Sequence, residues 1–184
     1  MNYTREELKQ LLGSIGENVT VHRSVQLFAP ERIHIGSNVR IDCFAVLSAG
    51  QKGIWIGHNV HLGTGVSLMG SGGKLEIESF CGFSPRATVF TASDDYSGGF
   101  MTNPTVPDRF RNVTAGDVRI ERHAIVGSGS VLMPGITLGV ASAVGALSFV
   151  NKNVPAFAIV SGNPLKLIGK RNEKILQLEK EFLG

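Results

Sequence analysis

The sequence predicts an all-β fold: a parallel β-helix of about six coils, with one protruding loop and a short helix at each end. Three observations predict it. First, aliphatic residues recur every six positions from Ile120 to Val150, at Ile120, Val126, Leu132, Leu138, Val144 and Val150. A helix would space them by three and four and a strand would alternate them, so a period of six marks a short repeat that turns a corner after each unit. Second, the same interval runs through the first half as Ile15, Val21, Leu27, then Ile35, Ile41, Leu47, then Ile56, Leu62, Leu68, then Ile77, Phe83, Val89. Each group opens eight or nine residues after the last rung, so three hexads close one three-sided coil of 18 residues. The extra residues bulge at one corner, at Gln51 to Gly53 and around Gly72 to Lys74. Third, 23 glycines suit many tight corners, and 42 % hydrophobic against 18 % charged residues suit a continuous apolar interior.

Residues 1–14 read as an N-terminal capping helix. Thr4 followed by Glu7 is a capping-box pattern, Leu8, Leu11 and Leu12 make an apolar stripe, and Gly13 ends it. A solenoid needs such a lid, because its first rung otherwise faces water. Residues 15–160 form the β-helix. Parallel stacking raises each coil by ~4.8 Å, so six coils stand roughly 29 Å tall. Each rung that is fully buried contributes on the order of 1.5–3 kcal/mol.

The rhythm stops after Val89 and returns at Ile120, and the break holds a loop over residues 93–116. Loops of that length inside a compact domain are usually functional or disordered. The aromatics Tyr96, Phe100 and Phe110 argue against simple disorder. Pro155 and Pro164 stop regular coiling, and Lys166, Lys170 and Arg171 then cluster. Asn172 to Leu183 reads as an amphipathic helix with Ile175, Leu178 and Phe182 on one face and Asn172 as its N-cap. Residues 161–184 are thus a basic segment and a C-terminal helix, expected to close the second end of the prism or to pack on a neighbouring chain.

A formal net charge of +3 and a pI near 9.0 are only mildly basic. They do not suggest a nucleic-acid binder, but they tolerate a polyanionic ligand. Cys43 and Cys81 lie far apart, with no CxxC and no His/Cys cluster, and read as reduced, packed thiols. No charged-then-apolar leader opens the chain, and the longest apolar run, Ala141 to Val150, is too short to span a bilayer. A soluble, cytoplasmic protein without a transmembrane segment is expected.

These hexads, the single long loop, and the closing Val154-Pro155, Gly162-Asn163-Pro164 and Lys166 resemble the hexapeptide-repeat acyltransferases. The resemblance is nearest to the maltose, galactoside and O-antigen or capsule sugar acetyltransferases, and it covers residues 15 to 171. It implies a left-handed parallel β-helix, a homotrimer and acetyl-CoA as donor. The family lays the pantetheine arm along small residues of the C-terminal coils, and Ser128 and Ala146 match those positions. Asn151-Lys152 stands where the family usually has Thr-Lys. Lys166 is the basic residue of the closing segment, suited to a phosphate of coenzyme A. The family's second basic residue falls at Gly169, with Lys170 as an approximate substitute.

The acceptor end departs from the family pattern. Acyl transfer needs the acceptor to lose a proton as it attacks the thioester carbonyl. The family commonly supplies a His just past the coil, but here Thr91-Ala92-Ser93 is followed by Asp94 and Asp95. An aspartate with an ordinary pKa of ~3.9 is a weak base for a sugar hydroxyl. Three readings stand side by side. Asp94 is a base or orienter raised by Asp95 and burial; His123 is the base; or the acceptor is an amine, with Asp94 binding its ammonium. Asp95, Tyr96 and Thr64 are candidate acceptor contacts, Thr64 standing near the family's acceptor-binding asparagine. His34, His58 and His61 do not match the ligand spacing of the carbonic-anhydrase-like branch of the fold, and no metal is expected. The function expected is acetyl transfer, directly from the thioester, to a sugar or nucleotide-linked amino sugar of a surface polysaccharide. The alternatives are a non-catalytic β-helical assembly module and a metal-dependent, carbonic-anhydrase-like protein.

Overall fold

The computed structural model describes residues 1–184 and forms a three-faced parallel β-helix. One face carries the strands Ser14–Ile15, Ile33–Ile35, Ile54–Ile56, Leu75–Ile77, Val118–Ile120 and Thr137–Leu138. The second face runs from Thr20–Val21 through Arg40–Ile41, His61–Leu62, Gly82–Phe83, Ile125–Val126 and Ala143–Val144 to Ala158–Ser161. The third runs from Gln26–Phe28 through Val46–Ala49, Ser67–Gly70, Thr88–Phe90 and Val131–Leu132 to Phe149–Val150. These strands are two to four residues long, too short to stand alone. Stability comes from stacking.

The register pairs rung with rung. Ile35 stacks on Ile56, Leu62 on Phe83 and Val89 on Leu132, and the rungs from Ile35 onward are all buried in one 35-residue core. Ile15 and Leu27, in the first coil, are only partly buried. Six coils are complete and a seventh is begun. Val154 bridges to Leu138, and Val160, six residues later, pairs with Val144. Pro155 does not stop the coil there, because a turn in the last coil has no further coil waiting for its missing N–H.

Corners follow the same logic. The first corner, between the first and second faces, holds one left-handed residue in every coil: Asn18, Asn38, Asn59, Phe80, His123, Ala141 and Phe157. Asparagine tolerates this conformation best among residues with a side chain, which accounts for the first three. Adjacent coils also touch closely at the second corner, where a Cβ on Gly127 would lie 2.4 Å from the Ala146 nitrogen. Only glycine fits there.

The N-terminal helix α1, Arg5–Leu11, is capped as expected. The Glu7 amide donates to Thr4 Oγ1 at 3.2 Å and the Thr4 amide donates to Glu7 at 2.7 Å. Leu8 and Leu12 close the first coil. The C-terminal helix α2, Lys174–Leu183, departs from the first of its two expected placements. It does not cover the end of the prism, and Leu178 and Phe182 stay largely exposed. Instead it folds back along the first corner, with Phe182 set edge-on to Phe80 and Glu179 bonded to His123. Asn172 accepts from the Lys174 amide at 2.8 Å, although Glu173 occupies the cap position. The last coil is lined instead by an antiparallel strand, Lys166–Lys170, paired with Ala158–Ser161.

Leu62 is fully buried, so Leu62→Ala should cost ~2–5 kcal/mol, read as a fall in the thermal midpoint. Thr4→Ala should cost only ~1 kcal/mol, as for other helix caps.

Candidate active site

The long loop leaves the helix at the third corner as a short antiparallel pair, Ala92–Ser93 with Thr114–Ala115. Between its root and the third face lies a cavity of about 870 Å³, lined among others by Phe90, Asp94, Tyr96, Met133, Phe149 and Asn151. A second hollow of about 510 Å³ shares Phe149 and Asn151 and continues past Lys152 to Asn163 and Pro164. The two form one groove across the last strands of the third face. Asp94, Asp95, Tyr96, Asn151 and Lys152 are therefore brought together.

The two aspartates differ in what they do. Asp94 Oδ2 accepts only a long hydrogen bond, 3.3 Å, from the Asn103 amide, and its other oxygen has no partner within the chain. Asp95 is tied up. Its Oδ1 accepts from the Ser97 hydroxyl at 2.5 Å and amide at 2.7 Å, and its Oδ2 from Asn112 at 3.0 Å. The Ser97 hydroxyl, then its amide and Asn112, hold the Asp95 carboxyl below the usual carboxylate range. Asp95 knots the loop, whereas Asp94 faces the cavity free. Tyr96 is 91 % exposed at the cavity rim.

Thr64, Ser128 and Ala146 fall on the second corner, one per coil. The Thr64 carbonyl accepts from Arg86, that of Pro85 from Gly129 and that of Ser128 from Leu147, so Thr64, Pro85, Ser128 and Ala146 form a column. Lys166 pairs with Ser161 at the foot of this corner and has no ion pair; Lys170, at the other end of its strand, is bonded to Glu173 at 3.2 Å. Ser84 belongs to the same corner and escaped the sequence reading. Its hydroxyl has no partner within the chain, and it occupies the place of Gly63, Gly127 and Gly145 in neighbouring coils. A hydroxyl breaking a glycine column was the available signal.

No protein-family model matches the chain. It is 38 % identical over 177 residues to the dTDP-4-amino-4,6-dideoxy-D-glucose acyltransferase of Escherichia coli, an alignment covering 96 % of this chain and 92 % of that one. It belongs to the hexapeptide-repeat acyltransferases. A galactoside O-acetyltransferase of Lactococcus lactis is 30 % identical over 171 residues, 91 % of this chain and 68 % of that one. The crystal structure of AntD, an N-acyltransferase from Bacillus cereus in complex with dTDP and 3-hydroxybutyryl-CoA, superposes with a TM-score of 0.94. The two share 37 % identity over 99 % of this chain and 96 % of AntD. A variant of AntD is solved with dTDP-4-amino-4,6-dideoxyglucose and coenzyme A.

In this hexapeptide-repeat acyltransferase, His123 stands apart from the groove. It occupies the left-handed place of the first corner, 7 % exposed, stacked on Phe80 with ring centroids 5.0 Å apart. Its Nε2 lies 3.0 Å from Glu179, and its carbonyl accepts from Arg171 at 2.7 Å. The remaining four histidines are engaged separately: His22 Nδ1 meets the Ser24 hydroxyl, His34 stacks on Trp55, His58 accepts from the Ser37 amide, and His61 meets Asp42. Cys81 is buried, and burial pushes its thiol up to about 12.

Because the folded-state pKa of Asp95 is depressed, its loop contacts are fully present above the ordinary value of ~3.9 and are lost as pH falls through the depressed one. Protection of amides across residues 97–112, measured against their slower intrinsic exchange in acid, should therefore fall as Asp95 is protonated, and Asp95→Ala should show the same loss of protection at neutral pH.

Proposed function

We propose that this protein transfers an acetyl or related short acyl group from coenzyme A to the amine of a nucleotide-linked amino sugar, destined for a surface polysaccharide. The observation that carries the reading is Asp94. It stands free at the cavity where an O-acetyltransferase of this family would have a histidine, and a carboxylate suits an ammonium better than a hydroxyl. The Escherichia coli and Bacillus cereus relatives, named for amino-sugar and N-acyl transfer, support the same acceptor class.

The chemistry follows from the residues. Asp94 binds the acceptor ammonium and takes its proton. The freed amine attacks the thioester carbon, a C–N bond forms as the C–S bond breaks, and the second proton shed by the nitrogen ends on the leaving sulfur to give coenzyme A. No acyl-enzyme is needed. Ser128 and Ala146 let the pantetheine arm lie close to the corner backbone, while Asn151, Lys152 and Lys166 meet its polar and phosphate end. Lys170, already paired with Glu173, is left a minor role there. Ser84 and Thr64 extend the corner toward the acceptor, with Tyr96 at the rim. His123 anchors the C-terminal helix and takes no part in the chemistry.

Within one chain the Asp94 cavity and the Ser128 corner flank the third face from opposite edges. A homotrimer resolves this by setting one copy's corner against the next copy's cavity. Phe44 and Leu147 at that corner, 68 % and 79 % exposed, supply apolar surface for such an interface. Light scattering should then give three times the 19.7 kDa chain. A cytoplasmic location is part of this reading and agrees with the unpaired Cys43 and Cys81; no helix is long and apolar enough to cross a membrane.

Release of free coenzyme A tests the reading. Nucleotide-linked amino sugars should give turnover, and free hexoses should not. Asp94→Asn should lower that turnover by ~10²–10⁴-fold, whereas His123→Ala should lower stability and leave turnover within a few-fold of wild type. Saturating acetyl-CoA, at 100 times its dissociation constant, should add ~2.7 kcal/mol of stability, and a non-catalytic module would show no such shift.

A further inference from the structure

A hollow near the N-terminal end of the second corner begins at Thr64, where the acceptor corner described above ends. It measures about 490 Å³, and His22, Arg40, Asp42, Cys43 and Thr64 are among its lining residues. Asp42 is its hub. One carboxylate oxygen accepts from Arg40 Nε at 2.7 Å and the other lies 2.8 Å from His61 Nε2. Burial works to raise the Asp42 pKa, but the bonds from His61 and Arg40 outweigh it and hold the carboxyl below its usual range. Both oxygens are thus engaged in aiming two side chains, a guanidinium and an imidazole. The terminal nitrogens of Arg40 and Nδ1 of His61 keep no partner within the chain. A guanidinium fork presented in this way matches phosphate oxygens, and the imidazole Nδ1 becomes a donor in its imidazolium form.

The place of the hollow matters as much as its charge. Asp42-Cys43, Gly63-Thr64, Ser84-Pro85, Gly127-Ser128 and Gly145-Ala146 stack at this corner on five successive coils. Asp94 leaves the coil that carries Ser84. If the donor lies along the later coils, its thioester ends at the level of Ser84, and the acceptor amine meets it there. Coils rise by ~4.8 Å, so a pyranose ring fills roughly the next coil, at Thr64, and its anomeric phosphates the one beyond. That level is Arg40 and Asp42.

Resting on the acyltransferase reading above, we infer that Arg40 and His61, held by Asp42, bind the diphosphate of a nucleotide-linked acceptor. The nucleoside lies toward His22. The corner thereby acts as a ruler that sets the distance from the diphosphate to the amine.

Calorimetric titrations of dTDP and, separately, of coenzyme A into wild type, Arg40→Gln and His61→Ala test this. Arg40→Gln should weaken dTDP roughly 10- to 100-fold, the loss expected for a charge-assisted hydrogen bond. His61→Ala should weaken it less. Coenzyme A should bind both variants as it binds wild type, which also shows them folded. A second readout needs no variant. Cys81 is buried with its thiol pushed up to about 12, so iodoacetamide at neutral pH reports Cys43, which lines the hollow. Saturating dTDP should slow that alkylation and coenzyme A should not. Unchanged dTDP affinity in both variants, or alkylation that dTDP leaves untouched, overturns the inference while the acyltransferase reading stands. A wild type that binds no coenzyme A sinks both.

Discussion

Each coil of this protein is held by what lies directly above and below it: an inward aliphatic stacked on its counterpart, and backbone N–H groups donating to carbonyls one coil away. Leu62 under Ile41 and over Phe83 is typical. Strands of two or three residues bury too little to exist alone, so the stack is the unit of stability and the hexad is its spelling. A slip by one residue would turn every rung outward, which makes the register steep in energy wherever the core is continuous. Corners inherit the constraint. A coil must turn at fixed positions, and left-handed residues such as Asn38 and Asn59 do so at the first corner.

Such a scaffold leaves its faces little freedom and concentrates variation in the corners. The third corner accepts the only large excursion, the loop over residues 93–116, without disturbing the rungs on either side, since Val89 still stacks on Leu132. The second corner accepts changes of side chain at constant backbone, from Asp42 through Ser84 to Gly127 and Gly145. Function is written on the corners because the interior cannot carry it. Chemistry-bearing groups come from the loop root, rigidly placed by the short pair of Ala92–Ser93 with Thr114–Ala115, while binding groups come from a straight column of turns.

The stacking was legible in sequence because spacing alone encodes it: eighteen rungs from Ile15 to Val150 keep their interval. The seventh coil was harder to see. Its rungs Val154 and Val160 are also six apart, but Val154 follows Val150 by four, and Pro155 looks like a terminator when nothing says that the coil is the last. Asp94 could be singled out as a departure from pattern, yet its difference from Asp95 rests on which of them the loop's own amides consume, and no linear spacing contains that. His123 shows the reverse. Its chemistry suggested a base, whereas its position in the left-handed place of a turn beneath a returning helix decides its surroundings. The Asp42–His61 contact was hidden for a simpler reason: residues nineteen apart become neighbours only when the bulge between two coils is counted.

The returning helix alters how the whole spool holds together. A solenoid whose coils touch only their neighbours can fray from either end, losing one repeat at a time. Here Glu179 grips Arg122 and His123, and Phe182 meets Phe80, so the last turn of the chain is fastened to its middle coils. Peeling away the C-terminal coils must first break that fastening, and doing so uncovers the fourth and fifth coils as well. A nearest-neighbour stack thus gains one long-range link, and with it a C-terminal half that melts as a block rather than coil by coil.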